Sequence, residues 1–384
     1  MSAVNSEVQK KSLESKYRYQ SPYVNDIQKF KDEIRHKRVI PHQVEIQPGP
    51  LGAKICWLEC PYCYGKSAIN SPDRLSRERY IEVIKDIMDG GCRKFIFAGW
   101  ATDPLYYKYI DDLVETAVNG NAVIGFNTRA IDVSDRLVKL VAGAPVAPTS
   151  YMSISVNAGT NERYNQVNGV EKSKAKLYDR VVGNVGRIIE EKKKNNNTLD
   201  ISISYLINQY TAAPEEVAKF IGDFKNVGAD LIRFSCPQIP RGDVMGENAF
   251  VPTKDEYNNY IQEIEKIVEE SNTENCKVLI IENDDKFLRA RSTPCFARFI
   301  YPTIGYDGWL YHCSQSSGSN FRSQAFGNLA TENFWELLYD YDANNLDAYF
   351  TSCSQKMAEN NCRCDRKEHT VNTMINENGF FDKP

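Results

Sequence analysis

The chain has 384 residues, of which 42% are hydrophobic and 26% are charged, a composition ordinary for one large globular domain plus a smaller one. Its net charge of −4 argues against a nucleic-acid partner, because surfaces that bind nucleic acid are normally basic. No apolar run is as long as a membrane span, and the first residues lack the apolar core of a signal peptide. We therefore expect a cytoplasmic protein without a membrane partner.

Short apolar strands alternate with amphipathic helices from residue 42 to about residue 236. Strands are predicted over 42–47, 94–98, 122–126, 151–156, 199–207 and 231–235. Helices are predicted over 73–88, 105–118, 135–142, 175–193 and 214–225. This alternation is typical of a parallel sheet with its helices outside. A helix over 253–270 and a strand over 277–281 follow.

The eleven cysteines are an odd number in a chain expected to be cytoplasmic, which indicates metal ligands rather than disulfides. Cys56, Cys60 and Cys63 have the spacing C-x3-C-x2-C, with no fourth Cys or His close by. A structural zinc site takes four protein ligands, whereas a cubane iron–sulfur cluster takes one thiolate per iron. Three thiolates therefore leave one iron open to a substrate or cofactor. A zinc knuckle and three unrelated core cysteines are the alternatives.

This triplet resembles the signature of the radical S-adenosylmethionine (radical SAM) superfamily, C-x3-C-x-aromatic-C, with Tyr62 at the aromatic position. The resemblance implies a 4Fe–4S cluster whose open iron is chelated by SAM. It also implies that one electron, from an external donor such as flavodoxin or ferredoxin, cleaves SAM to a 5′-deoxyadenosyl radical. The implied fold is a partial (β/α)6 parallel barrel of the α/β class, with the cysteine loop at the C-terminal end of the first strand.

The resemblance implies further cofactor-binding residues after the second strand. Gly99, Trp100 and Asp103 stand where the family has a Gly-Gly-Glu-Pro-like motif that binds the SAM ammonium. Trp100 replaces a usual glycine there, and Asp103 stands where glutamate is expected. A plain turn that closes the strand is the alternative.

Small polar residues recur at period two on the next strands. Ser153, Ser155 and Asn157 share one face of the fourth strand, and Ser202 and Ser204 share one face of the fifth. Because buried polar groups need partners, we expect SAM or the substrate to bind Ser155, Asn157 and Ser204. The alternative is that these faces meet water or the outer helices. Many members of the superfamily have an acidic residue where Asn157 stands.

The sixth strand adds two candidates. Arg233 is expected to pair with the SAM carboxylate or a substrate anion. Cys236 lies at the predicted catalytic end of this strand, where a thiol can donate a hydrogen atom to a substrate radical. The alternative is a small buried hydrophobic residue.

A second cysteine group begins as C-x12-G-x4-C, from Cys295 through Gly308 to Cys313, and resembles the SPASM and Twitch extensions of radical SAM enzymes. Its five cysteines are enough for one auxiliary 4Fe–4S cluster, held by four of Cys295, Cys313, Cys353, Cys362 and Cys364. A structural zinc site is the alternative. We divide the chain into an N-terminal extension over 1–41, a barrel core over 42–240, a linking helix and strand over 241–289, and a small auxiliary domain over 290–384.

The resemblance implies an enzyme that abstracts a substrate hydrogen atom. Our first hypothesis is oxidation or epimerisation of a small metabolite, such as a sugar, aminocyclitol or nucleotide-sugar. The second is maturation of a ribosomally made peptide by crosslinking or epimerisation, as in natural-product biosynthesis. A non-enzymatic iron–sulfur protein for electron transfer is the third.

Overall fold

A computed structural model describes residues 22–49, 56–63, 71–100, 102–237, 250–281, 294–359 and 366–381, together with Cys362 and Cys364. Seven parallel strands follow one another in a single sheet. They are β1 Val44–Ile46, β2 Lys94–Phe97, β3 Val123–Thr128, β4 Tyr151–Ser155, β5 Asp200–Leu206, β6 Leu231–Ser235 and β7 Lys277–Ile280. The first six confirm the predicted strands, and β7 extends the sheet by pairing with β6.

Helices connect these strands and cover the sheet. They are α1 Ile27–Arg35, α2 Arg77–Asp89, α3 Ile110–Asn119, α4 Asp135–Ala142, α5 Asn161–Val167, α6 Leu177–Lys194, α7 Pro214–Val227 and α8 Lys254–Ser271. The remaining described helices are α9 Ala297–Ile300, α10 Phe334–Leu338, α11 Leu346–Glu359 and α12 Arg366–Glu377. One large core fills the space between the helices and the sheet.

Local capping explains where the helix predictions succeeded and where they did not. Helix α4 matches its prediction, because the Ser134 side chain accepts from the Leu137 N–H at its start. The predicted helix over 105–118 was wrong in its first turn, where Asp103 caps a 3-10 turn at Pro104–Tyr106 and α3 begins only at Ile110. Helix α5 was not predicted, since it is a single short segment after β4.

The C-terminal part of the chain continues the same sheet. Strand β8 Thr303–Ile304 is parallel to β1, and β9 Trp309–Tyr311 and β10 Gly327–Asn328 follow in antiparallel order. Backbone N–H groups of Gln43, Glu45 and Gln47 donate to carbonyl oxygens between residues 300 and 304. Strand β1, which precedes the cysteine triplet in the chain, is therefore an interior strand. The domain boundaries proposed at 240–241 and 289–290 lie outside the described residues.

The N-terminal extension packs against the C-terminal end of the chain. Phe30 and Ile34 of α1 form one core with Phe296, Phe350 and Phe380. The Tyr341 hydroxyl also donates to the Ile34 carbonyl oxygen at 2.6 Å. These contacts fix both ends of the described chain to one side of the sheet. In the described part of the chain, no helix combines the length and the apolar character that crossing a membrane requires.

Candidate active site

The cysteine triplet lies on a tight turn beyond the C-terminal end of β1. The Cys63 N–H donates to the Cys60 carbonyl oxygen at 3.0 Å, closing a turn whose second residue is Pro61. Proline is favoured there because its ring fixes φ near the value the turn requires. Cys60 is buried, while Cys56 and Cys63 are partly exposed. The turn thus presents the triplet at the catalytic end of the sheet, as predicted.

The loop rests on residues that the sequence did not suggest. The Glu59 N–H donates to the Asn168 carbonyl oxygen at 3.0 Å, and the Cys60 thiol contacts the Asn168 side-chain oxygen at 3.3 Å. Gly169, which follows, has φ +67°. A Cβ there would collide with the Glu59 carbonyl oxygen and lie 2.7 Å from the carbonyl carbon. Only glycine therefore allows this close approach without strain.

Burial and the neighbouring thiols raise the pKa of Cys56, the first thiol of the triplet. Burial raises the pKa of Cys56 to about 11, and Cys60 and Cys63 add to the shift. A cationic metal centre reverses this balance, because it stabilises thiolates directly. Three neighbouring thiolates would repel one another, and a bound group with positive charge would offset that repulsion.

A buried hydrogen-bond network surrounds Tyr62. Its hydroxyl oxygen accepts from Arg129 Nη2 at 3.1 Å and from Asn157 Nδ2 at 2.9 Å. The same Arg129 nitrogen lies 3.4 Å from Cys60 Sγ. Burial raises the pKa of Tyr62, while the charge of Arg129 opposes that shift. The network ties the aromatic residue of the signature to β3 and β4.

Three buried polar atoms next to the triplet have no hydrogen-bond partner among the described residues: Tyr106 Oη, Tyr164 Oη and Arg129 Nη1. Burial raises the pKa of both Tyr106 and Tyr164; the negative charge of Asp103 adds to the rise in both cases, and the positive charge of Arg129 opposes it at Tyr164. Buried polar groups are rarely left unsatisfied. Together with three thiols, these donors fit an iron–sulfur cluster and a polar ligand such as SAM.

The residues expected to bind the SAM ammonium have other contacts. Asp103 accepts from Thr128 Oγ1 at 2.8 Å, from the Arg129 N–H at 2.6 Å and from the Leu105 N–H at 3.0 Å. A Cβ at Gly99 would collide with the Thr102 carbonyl oxygen, so glycine is needed to close the turn. In this loop, Asp103 joins the ends of β2 and β3.

Trp100 packs against the C-terminal part of the chain. Its ring meets that of Phe321 at 6.2 Å between centroids, and a Cβ at Gly318 would lie 2.8 Å from the indole. Trp100 belongs to a buried group that also includes Tyr306 and Tyr311. The indole therefore fastens the loop after β2 to residues 306–321.

The predicted polar row is present on the inner face of the sheet. Ser155 and Ser204 are register partners on β4 and β5, with their hydroxyl oxygens 3.4 Å apart, and Arg233 is the partner of Ser204 on β6. Tyr205, next in the chain, instead contacts Phe220 of α7 at 4.5 Å, so the serines face away from the helices.

Asn157 and Cys236 follow the ends of β4 and β6. Asn157 is buried with φ +65°, and its side-chain oxygen accepts from the Leu206 N–H at 3.0 Å. Both ends of its amide are thus engaged within the protein, by Tyr62 and by β5. Cys236 is partly exposed beyond β6.

Four of the five C-terminal cysteines come together. Cys295, Cys313, Cys353 and Cys362 form one buried cluster, which we name the C-terminal cysteine group. Cys364 is partly exposed and so is not a member of this buried cluster, and its sulfur lies 4.0 Å from Asn372 Nδ2. Within the described residues, no three His, Cys, Asp or Glu side chains form a site for a single metal ion. A 4Fe–4S cluster does not require the four sulfurs to surround a single ion, because each thiolate binds a different iron of the cubane.

A buried cation lies beside this group. Arg298 follows Ala297, which packs among the four cysteines, and is 4% exposed. Its donors bond the carbonyl oxygens of Leu337, Leu338 and Asp340 and the hydroxyl of Tyr349. In the part of the chain that the structure describes, no carboxylate lies within salt-bridge distance of Arg298. These carbonyl and hydroxyl oxygens offset part of the cost of burying the guanidinium charge.

An aromatic stack links this cation to one cysteine. The Arg298 guanidinium lies 3.9 Å from the centre of the Phe326 ring. The His312 ring contacts the same phenylalanine at 4.5 Å between centroids, and His312 Nε2 lies 3.2 Å from Cys353 Sγ. A thiolate at Cys353 would accept a hydrogen bond from this imidazole.

Comparison with known proteins agrees with this geometry. Residues 52–221 match the model of the Radical SAM superfamily. SuiB from Streptococcus suis is similar in structure, at 13% identity over 83% of this chain and 71% of that chain, with a TM-score of 0.57. Native anSMEcpe with bound AdoMet is similar at 16% identity over 88% of this chain and 97% of that chain, with a TM-score of 0.56.

A third similar structure is SuiB bound to the precursor peptide SuiA, at 15% identity over 81% of this chain and 68% of that chain, with a TM-score of 0.54. At these identities the similarity establishes the fold that the chain shares with these proteins. A search of curated protein sequences finds no match to the chain.

Proposed function

The chain carries a radical SAM superfamily domain over residues 52–221, and we propose that Cys56, Cys60 and Cys63 hold its 4Fe–4S cluster. When bound, the cluster and SAM supply the one-electron chemistry that generates a 5′-deoxyadenosyl radical. The turn at Cys60–Cys63 holds the thiols, and the buried hydroxyls of Tyr106 and Tyr164 are placed to donate to polar groups of SAM.

We propose that the C-terminal cysteine group holds one auxiliary 4Fe–4S cluster, with Cys364 outside the ligand set. The shared burial of the four cysteines and the contact of His312 with Cys353 support this, because a hydrogen bond from an imidazole stabilises a ligand sulfur as thiolate. Iron content per chain after anaerobic reconstitution tests the proposal. Eight irons are expected; four irons, or stoichiometric zinc, would contradict it.

We propose that the substrate is a peptide. The observation that carries this proposal is the shared architecture with anSMEcpe, a structure of which contains AdoMet and the Cp18Cys peptide, over 88% of this chain and 97% of that chain. The polar groups near the triplet also favour it: Asp103, Asn157 and Asn168 bond to the protein itself, which leaves few groups to recognise sugar hydroxyls.

The aromatic residues beside the site provide a surface for apolar peptide side chains. Phe250 contacts Tyr62 at 6.2 Å and Tyr210 at 4.7 Å between ring centroids. Phe250 and Tyr210 are partly exposed, whereas Tyr62 is buried beneath them, so the first two rings are the ones available to a substrate side chain.

The test is substrate-dependent SAM cleavage under anaerobic conditions with dithionite. Synthetic peptides encoded by short reading frames beside the gene should raise 5′-deoxyadenosine formation above the uncoupled rate and change in mass. The Cys56→Ala/Cys60→Ala/Cys63→Ala variant is the control and should form none. If the wild-type protein forms no 5′-deoxyadenosine, the enzyme proposal fails. The hypothesis that then remains is a non-enzymatic iron–sulfur protein for electron transfer.

A small metabolite is the second candidate substrate. The inward row of Ser155, Ser204 and Arg233 favours it, since hydroxyls and a guanidinium suit a polar, anionic compound. Stimulation by the low-mass fraction of a cell extract, with no response to the peptides, would favour this candidate.

The outcome of the reaction depends on the fate of the substrate radical. Oxidation needs an electron acceptor, which the auxiliary cluster provides, whereas epimerisation needs a hydrogen donor, a role proposed for Cys236. A Cys236→Ala variant with full turnover would exclude the donor role. We also propose that the protein acts in the cytoplasm with flavodoxin or ferredoxin as its electron donor.

A further inference from the structure

Arg129 occupies a fixed position beside the proposed catalytic cluster. It follows the end of β3, and its N–H is held by the Asp103 carboxylate at 2.6 Å. Its Nη2 lies 3.1 Å from Tyr62 Oη and 3.4 Å from Cys60 Sγ, and the guanidinium carbon is 5.8 Å from the centre of the Tyr62 ring. The Arg129 side chain therefore points at the cysteine loop, with its backbone held by Asp103 and its guanidinium held by Tyr62.

The Arg129 guanidinium forms no salt bridge with any carboxylate among the described residues, although the charge of the buried Asp103 interacts with it at longer range. Asp103 bonds to its backbone, and none of the described acidic side chains lies within salt-bridge distance of its guanidinium. Arg129 Nη1 is buried with no hydrogen-bond partner among the described residues. A permanent positive charge is thus directed at the loop that carries Cys60, in surroundings that screen it weakly.

The loop that carries the cysteine triplet has several anchors besides the Arg129 head group. Its anchors include the Glu59 N–H bond to Asn168, the Cys60–Cys63 turn and the Asn157 bond to Tyr62. These contacts all come from residues other than Arg129. Its guanidinium is therefore available for a role that concerns charge.

We propose that Arg129 is a positioning residue that sets the reduction potential of the cluster held by Cys56, Cys60 and Cys63, by hydrogen bonding to the Cys60 thiolate. Reduction adds one electron from the external donor and no bond is made or broken, so one negative charge is added to the centre. A hydrogen bond to a ligand sulfur and a nearby cation both stabilise that added charge. This inference rests on the proposed function.

The test is a redox titration of the anaerobically reconstituted full-length protein, followed by electron paramagnetic resonance. The catalytic cluster is distinguished from an auxiliary one because SAM alters the signal of the centre with an open iron. Arg129→Gln removes the charge, Arg129→Lys keeps it without the planar geometry, and Arg180→Gln is the control. Arg180 forms a surface ion pair with Asp132, so its loss should leave the midpoint unchanged.

In Arg129→Gln, the ratio of reduced to oxidised cluster at the wild-type midpoint should fall about tenfold, which corresponds to about 59 mV for one electron. Arg129→Lys should lie between Arg129→Gln and the wild type. The inference is overturned if Arg129→Gln keeps the wild-type midpoint with full iron content, even if SAM binds more weakly. It is also overturned if Arg129→Lys shifts as far as Arg129→Gln.

If Arg129→Gln fails to bind iron, Arg129→Lys decides: a midpoint below that of the wild type supports the inference, and a wild-type midpoint overturns it. Failure of the proposed function is distinct from all of these outcomes. In that case the wild-type protein itself would give no signal that responds to SAM.

Discussion

Gly169→Ala tests whether the contacts of Asn168 and Gly169 with the cysteine loop are required for binding of the cluster. Gly169 lies at the end of α5 with φ +67°, and its α-carbon faces the backbone of Glu59, three residues after Cys56. The substitution adds one methyl group and changes no ligand. Its effect on iron binding would therefore come through the position of the loop alone.

The magnitude follows from two terms. An alanine in the left-handed region costs about 1–2 kcal/mol. Its Cβ would also lie 2.7 Å from the Glu59 carbonyl carbon, so the loop must move and weaken the Glu59 N–H bond to Asn168, which contributes about 1 kcal/mol. We expect the free energy of unfolding of the iron-free protein to fall by about 2–3 kcal/mol. We also expect the triplet to lose most of its iron.

The assay compares thermal unfolding of the iron-free protein, iron per chain after reconstitution, and 5′-deoxyadenosine formation. Gly183→Ala is the matched control, because Gly183 lies inside α6 with no atom within 4 Å of an added Cβ. Alanine there should stabilise the helix by up to about 1 kcal/mol and leave iron binding unchanged. A Gly169→Ala protein with wild-type iron content and SAM cleavage would refute the reasoning.

Three further experiments, with five variants between them, test other parts of the structure. Cys353→Ala should remove about four irons per chain, whereas Cys364→Ala should remove none; equal losses in iron analysis would contradict the ligand set proposed here. Arg322→Met breaks a bond to the buried Asp307 and should cost about 3–5 kcal/mol in denaturant unfolding, against under about 0.5 kcal/mol for the exposed pair broken by Lys266→Met. Asp103→Asn places an amide donor among N–H donors and should cost about 1–3 kcal/mol; an unchanged melting temperature would contradict this structural role.

The sequence predicted those parts of the site that depend on neighbouring residues. The spacing of Cys56, Cys60 and Cys63 is a local property, and so is the alternation that places Ser155 and Ser204 on one face. Asn168, which contacts the Cys60 thiol, lies 108 residues from Cys60 in the chain, and Arg129 lies 69 residues from Cys60. Contacts over such separations depend on how strands are ordered in the sheet, which no local pattern specifies.

Two predictions show how the same local pattern can serve different purposes. The loop after β2 has a glycine and an acidic residue in the places where a ligand-binding motif would have them, and the structure adds structural contacts for its side chains, since Asp103 bonds to the residues that end β3 and Trp100 packs on Phe321. Likewise, nothing in the spacing of the five C-terminal cysteines distinguishes Cys364. Only the folded chain brings the other four together around Ala297.

The position of β1 between β2 and β8 has a consequence for how the protein is made. Chains emerge from the ribosome N-terminus first, so the strand that carries the cysteine loop is synthesised long before Thr303–Ile304. Until then one edge of β1 exposes unpaired backbone groups, which promote wrong pairing. Iron loaded at the triplet during translation would meet an incomplete sheet. A cluster at the triplet would therefore have its complete protein surroundings only after Thr303–Ile304 has been synthesised.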